Sequence, residues 1–177
     1  MIFNVDEENK NMEYSIRKMK ATDWEQVSDI FKQGIASNLA TFEIVVPTYE
    51  NWDNGHLKFC RFVAVKDDVV LGWAALSPTS NRKAYEGVVE LSIYIGDNYK
   101  KNGIGSKLMK RIICESEQCG IWTIQSSIMQ NNIPSINLHL KHGFREVGYR
   151  YNISKDITGN WRNTVIMEKR SDNPIFN

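Results

Sequence analysis

Glu90, the closely spaced Gly103 and Gly105, and four lysines fall within one short run of this chain, ELSIYIGDNYKKNGIGSKLMKR at residues 90–111. Behind Glu90, Leu91, Ile93 and Ile95 alternate with Ser92 and Tyr94, the period of a strand. Gly96-Asp97-Asn98 supplies turn residues. Ile104, Leu108 and Ile112 then recur four apart, with Met109 and Ile113 widening the stripe, the period of a helix. A helix N-terminus carries unpaired N–H groups and about half a unit of positive charge. Gly103 and Gly105 admit an anion close to that backbone, and Lys100, Lys101 and Lys107 add positive potential. The chemistry this arrangement serves is the holding of a pyrophosphate. The same residues also fit an ordinary strand-to-helix turn with solvated lysines.

Two phosphate signatures can be tested on this run. A P-loop requires Gly-Lys-Ser/Thr at the helix start, but Gly105-Ser106-Lys107 stands here, with no glycine five positions before Gly105. A dinucleotide fingerprint requires a third glycine three after Gly105, where Leu108 stands. Both fail, so the cradle belongs to neither class.

Other elements must hold this run in place. Residues 14–19 form the first strand candidate. Thr22 and Glu25 have capping-box spacing, and Trp24, Val27, Ile30, Phe31 and Ile35 follow helical spacing. Residues 37–47 leave the helix and carry ATFE at 40–43, and a second helix is expected from Thr48 through Trp52. Residues 61–66 and 69–76 alternate around Asp67-Asp68 and predict a hairpin. The polar stretch 77–87 carries Arg82, Lys83 and Tyr85. After the central helix, which Gly120 ends, a strand is expected over 121–129. A short helix follows through Lys141, opened by Asn132 and Pro134 and closed by His142-Gly143. Strands over 144–151 and 162–169 flank a loop that contains Gly159. The order β-α-α-β-β-β-α-β-α-β-β argues a mixed α/β sandwich around one sheet.

Composition excludes several classes. A chain of 177 residues defaults to one domain, expected over 13–171, with a flexible extension over 1–12 and a short tail over 172–177. Met12 offers an alternative start. The formal net charge of +1 makes no case for a nucleic-acid or membrane partner. No apolar run approaches a membrane span, and the first eleven residues are too acidic and polar for a secretory signal. Cys60, Cys114 and Cys119 are odd in number and make no metal-ligand pattern with His56, His139 or His142, so reduced, cytoplasmic thiols are expected and no metal site.

The loop K-K-N-G-I-G after a carboxylate-bearing strand resembles the acetyl-CoA loop of the GNAT N-acetyltransferases, R/Q-x-x-G-x-G/A, with Lys100 in first place. The element order agrees with that family over about residues 14–170. Further pieces resemble its phosphinothricin and methionine sulfoximine acetyltransferase branch: ATFE, R-K-A-Y, V-E-L-S-I-Y-I, N-x-x-S-x-x-L-H-x-x-x-G-F and G-N-W. The resemblance implies the GNAT fold, a mostly antiparallel seven-stranded sheet splayed between strands four and five, with about four helices. It implies N-acetylation of a small-molecule amine by acetyl-CoA, in a protein that is commonly a homodimer.

It also implies roles. Glu90 becomes the general base, drawing the amine's proton through a water, with partial burial raising a pKa that starts near ~4.3. Alternatively Glu90 pairs with Arg82 or Lys83 and only positions the loop. Backbone at Ile93, Tyr94 and Ile95 would hold the pantetheine arm and supply an oxyanion donor. Lys100, Lys101, Asn102, Gly103, Ile104, Gly105 and Ser106 would hold the pyrophosphate, and Asn132 and Ser135 would touch the coenzyme. His139 would protonate the leaving thiolate or only contact the coenzyme; the plain alternative is a surface or cap histidine. Phe42, Arg82, Lys83, Tyr85 and Trp161 are expected on the acceptor side, Arg82 for an acceptor carboxylate. Ser80 and Asn163 depart from the branch, which usually has Arg and Asp at these places. A peptide or protein acceptor, reached through an open groove, is the second enzymatic reading. An acyl-CoA sensor without catalysis is the third.

Overall fold

The computed structural model describes residues 12–176. Of the extension expected over 1–12, only Met12 lies within the described residues, and it packs against the core. The elements are β1 (Ser15–Lys18), α1 (Trp24–Ala36), α2 (Tyr49–Gly55), β2 (Phe62–Lys66), β3 (Val69–Pro78), β4 (Val88–Ile95), α3 (Ile104–Gln118), β5 (Thr123–Met129), α4 (Ile133–Lys141), β6 (Arg145–Lys155) and β7 (Trp161–Arg170). The expected order is the observed one. The strands form one seven-stranded sheet in the order β1-β2-β3-β4-β5-β7-β6.

Every neighbouring pair is antiparallel except β4 and β5, which run parallel. That parallel seam is short: Val88↔Thr123, Val89↔Ile124 and Glu90↔Gln125, and nothing beyond. β4 stays paired with β3 as far as Ile95, and β5 stays paired with β7 as far as Met129. The sheet therefore opens immediately after Glu90. Backbone groups of residues 91–95 that face β5 have no strand partner, and such groups need another one.

Alternation of side chains gives the sheet two different faces. On one, Ile104, Leu108, Met109 and Ile112 of α3 pack on Phe62, Leu76, Val89, Leu91, Ile124 and Ile128. On the other, Val27, Ile30, Phe31 and Ile35 of α1 pack with Trp52 on Val63, Val70 and Trp73. Tyr94 joins this second face, stacked on Trp73 at 4.8 Å and edge-on to Phe31 at 5.1 Å.

Three local features differ from the sequence reading. Thr22 does not cap α1. Residues Ala21–Asp23 form a 3-10 turn, and the Asp23 carboxylate accepts the Lys20 N–H at 2.7 Å and both Arg17 nitrogens at 2.7 and 2.8 Å. A charge-assisted set of this kind outcompetes a hydroxyl cap, and the Arg17 hydrogen bond holds the Asp23 carboxyl below its usual range. β6 runs to Lys155 rather than Tyr151, because Tyr151, Asn152 and Ile153 bulge opposite Asn163 alone before pairing resumes at Ser154↔Arg162. In the tail, Pro174–Phe176 forms a 3-10 turn whose Phe176 ring lies 6.3 Å from that of Trp122.

Candidate active site

A cavity of about 420 Å³ sits where β4 and β5 part. One wall is β4 from Glu90 to Tyr94, and the facing wall is β5 from Ser126 to Met129. α4 and its cap contribute Asn132, Ser135 and His139; the linker between α1 and α2 contributes residues 39–43; β6 contributes Arg150, Ile153 and Ser154. Glu90 alternates with Val89 and Leu91, which face α3, so its side chain lies on the α1 face with Tyr94. Ser126 alternates in phase with Ile124 and Ile128, so it lies on the α3 face. The cavity is thus a slot through the sheet, with Glu90 at one mouth and the Ser126–His139 pair at the other.

His139 is 1% exposed and anchored at both ring nitrogens. Nδ1 lies 2.8 Å from the Ser135 carbonyl, which can only accept, so Nδ1 carries the proton. Nε2 is then an acceptor, and the Ser126 hydroxyl, 2.9 Å away, donates to it. Burial, the largest cause, pushes the His139 pKa below the usual histidine value. The plain alternative of a surface or cap histidine gives way to a buried, neutral ring lining the slot.

Asn132 caps α4 by accepting the Ser135 N–H at 3.3 Å, while its own amide donates to the Leu39 carbonyl at 3.0 Å. One side chain thereby fixes both α4 and the linker wall. The linker is tied again by Asn38, which donates to Asp156 at 3.1 Å, and by the Tyr94 hydroxyl, which donates to the Ala40 carbonyl at 3.4 Å. Burial pushes the Tyr94 hydroxyl pKa up, so it stays a donor.

Beyond Ile95 the chain makes a 3-10 turn and then the glycine loop. Lys101 at φ 66 and Gly103 at φ 75 are both left-handed, and Asn102 donates to the Tyr99 and Lys100 carbonyls at 3.1 Å each. The first loop N–H to find a helical carbonyl is that of Lys107, on Gly103. The N–H groups of Ile104, Gly105 and Ser106 therefore face outward at the start of a 15-residue helix. A Cβ on Gly105 would meet Leu138 at 3.2 Å, so glycine lets α4 approach this turn. Lys100 pairs with Asp97 at 2.6 Å, and the Ser106 hydroxyl meets His142 Nε2 at 2.7 Å.

Of the residues expected from sequence, Glu90, Ile93, Tyr94, Asn132, Ser135, His139 and Phe42 line the cavity. Residues 100–106 lie beyond its β4 wall. Arg82, Lys83 and Tyr85 do not line it; Arg82 lies over the Tyr85 ring at 5.4 Å. Trp161 is exposed, with Lys155 Nζ 5.1 Å from its ring centroid. Among the described residues Glu90 forms no ion pair with Arg82 or Lys83. Lining residues that sequence reasoning missed include Ser126, Glu43, Arg150, Ile153 and Ser154. Asn152, at φ 47, was the available signal for the last three, because asparagine tolerates the left-handed turn that builds the bulge.

A sheet opened at its one parallel seam, with a helix N-terminus beyond the opening, is the fold of a GNAT superfamily phosphinothricin acetyltransferase from Sinorhizobium meliloti solved in complex with AcCoA. The two superpose with a TM-score of 0.80 and 26% identity, over 90% of this chain and 89% of that one. Fold and slot define an acetyl-CoA-dependent N-acetyltransferase. Residues 24–144 match the Acetyltransferase (GNAT) family, to which the chain belongs. It is 29% identical to the phosphinothricin N-acetyltransferase of Streptomyces viridochromogenes over 157 residues, 83% of this chain and 85% of that one. It is 23% identical to the L-methionine sulfoximine/L-methionine sulfone acetyltransferase of Pseudomonas paraeruginosa over 167 residues, 91% of this chain and 96% of that one.

Proposed function

We propose that this acetyltransferase acts on the primary amine of a small amino-acid analogue of the phosphinothricin or methionine sulfoximine type, with Glu90 as general base. The observation that carries the reading is the position of Glu90, at the last paired residue before the sheet opens and inside the slot. Acetyl-CoA supplies the activated acetyl group. The residues present suit it: three outward N–H groups at the start of α3 fit a pyrophosphate, and unpaired backbone at residues 93–95 fits a pantetheine arm. Asn132 and Ser135 lie on the same side of the slot. Glu90, on the opposite face, takes the amine's proton through a water.

We place His139 on the coenzyme side as a contact and positioning group. Its Nε2 carries no proton, so it holds Ser126 and does not serve as the acid for a leaving thiolate. Phe42 walls the acceptor end, and Arg82, Lys83, Tyr85 and Trp161 are not assigned to it. A cavity of about 420 Å³ suits a small acceptor better than a peptide, and hydrogen bonds from Asn132 and Asn38 fix its linker wall. A carboxylate in the slot favours an enzyme over a sensor. The partner chain we propose is a second copy. β6 is an edge strand that leaves Val147, Tyr149, Tyr151 and Ile153 exposed, and light scattering reads the mass. Reduced, cytoplasmic conditions suit its three free thiols.

The test is a thiol-release screen with methionine sulfoximine, methionine sulfone, phosphinothricin, polyamines and short peptides, run beside Glu90→Gln. Turnover on the amino-acid analogues should fall at least about a hundredfold in the variant while acetyl-CoA still binds. Near-normal turnover of Glu90→Gln across pH removes Glu90 from the mechanism. Activity confined to peptides or polyamines overturns the acceptor assignment.

A further inference from the structure

The slot's lining holds two carboxylates, Glu43 and Glu90, and a single cation, Arg150. Arg150 makes no ion pair among the described residues. An arginine beside a cavity with two nearby carboxylates and no ion pair of its own has its full set of donors available.

Arg150 is also held in place. It is the last β6 residue paired before the bulge, opposite Thr164. On one side of it the Tyr149 hydroxyl donates to Gln130 Oε1 at 3.1 Å. On the other, the Asn152 N–H donates to Asn163 Oδ1 at 2.8 Å, and Asn163 Nδ2 donates to the same Gln130 Oε1 at 3.1 Å. Gln130 directly follows β5, so the bulge is fastened to the end of the strand that forms the slot's far wall. An aspartate at position 163 would lack the donor that closes this triangle.

We infer that Arg150 reads the carboxylate of the acceptor, taking the role that sequence reasoning gave to Arg82. This rests on the slot being the acceptor's site. A guanidinium binds a carboxylate through two parallel N–H bonds, and the carboxylate side of the slot takes the ammonium. The occupant is then a zwitterion: an amino acid with its carboxylate free, in preference to its ester or its decarboxylated amine.

The experiment compares methionine sulfone, its methyl ester and the decarboxylated amine as acceptors for the wild type, Arg150→Met and Arg82→Met. The wild type should favour the free acid by about a hundredfold in kcat/KM, chiefly through KM. Arg150→Met should erase that preference, chiefly by raising KM for the free acid, with a much smaller effect on the ester and the decarboxylated amine. Arg82→Met should retain the preference. Thermal melting checks that Arg150→Met is folded, which its exposed side chain predicts. Equal use of acid and ester by the wild type, or a preserved preference in Arg150→Met, overturns the inference while the acetyltransfer reading stands. Thiol release with no amine at all overturns both.

Discussion

Two histidines in this molecule are built alike and placed differently. His56, at the end of α2, and His139, in α4, each have Nδ1 within 2.8 Å of the carbonyl four residues back, Trp52 at 2.7 Å and Ser135 at 2.8 Å. Burial is the largest cause that lowers the pKa of both. Beyond that they part. The His56 ring stacks on Trp52 at 4.4 Å and meets Trp73 edge-on, within an aromatic cluster that the Arg61 guanidinium caps 4.9 Å from the Trp52 centroid. The His139 ring turns its edge to Phe144 and its free nitrogen to Ser126 in the slot. His139 is fully buried and His56 only half-buried, so a neutral, hydrogen-bonded imidazole does not by itself mark a slot residue here. The partner of the second nitrogen is what separates the two.

The largest expected effect that can break this comparison is on turnover. His139→Ala should lower kcat about a hundredfold by loosening the slot wall. His56→Ala should leave kcat within about twofold while costing about 1–3 kcal/mol of stability. Steady-state kinetics beside thermal melts separates the outcomes, and an equal loss of kcat in the two folded variants ends the distinction.

The next effect is on stability against pH, where the two should behave alike. Below the ordinary histidine value of 6.5, the unfolded chain binds protons that these folded imidazoles refuse. Stability is thus fully present above about pH 6.5 and falls as pH drops toward the depressed folded values. His142, lowered chiefly by burial and then by Lys110, Lys141 and Lys169, adds to the same slope. Asp23, Asp53 and Asp156 are also lowered, but their share is lost only below the carboxylate value of 3.8. His56→Gln and His139→Gln should each flatten the melting temperature between pH 7 and pH 5, roughly the window in which a histidine titrates. An unchanged slope in either excludes that residue from the linkage.

The smallest effect is specific to one ring. Ser126→Ala removes the donor that stabilises neutral His139, so the His139 pKa should rise while that of His56 stays fixed. A proton NMR titration of the two imidazole signals reads this directly, and a rise in both, or in neither, contradicts the assigned tautomer.

Most of the fold was legible because both periods were clean. The helical stripe of Ile104, Leu108 and Ile112 is the buried face of α3, and the hairpin turns at Asp67 and Asp68, both left-handed. Asn132 and Pro134 marked α4 correctly, since a cap acts within one turn of chain. The placement of Glu90 on a strand and of the glycine loop at the start of α3 was readable for the same reason, both being contiguous in sequence. Thr22 misled because the Asp23 carboxylate had Arg17 to bind, a contact that comes from β1. Arg150 and Ser126 were illegible for a longer-range reason. Each is an ordinary strand residue until a bulge or a parted seam turns it toward the slot, and strand pairing is not written locally. Asn163, noted as a departure from the branch, gained its meaning only beside Asn152 and Gln130.

Three residue pairs are all that stitches β1–β4 to β5–β7 along the seam. Gly87 sits just before them, and a Cβ there would lie 2.1 Å from the Trp122 ring, so that ring is pressed flat against the backbone where the two plates meet. α3 lies across the seam and packs on both halves, so the two plates share one core and the opening is a notch cut into it. Whatever molecule enters that notch meets main chain from both halves at once, so a single occupant can be gripped by both.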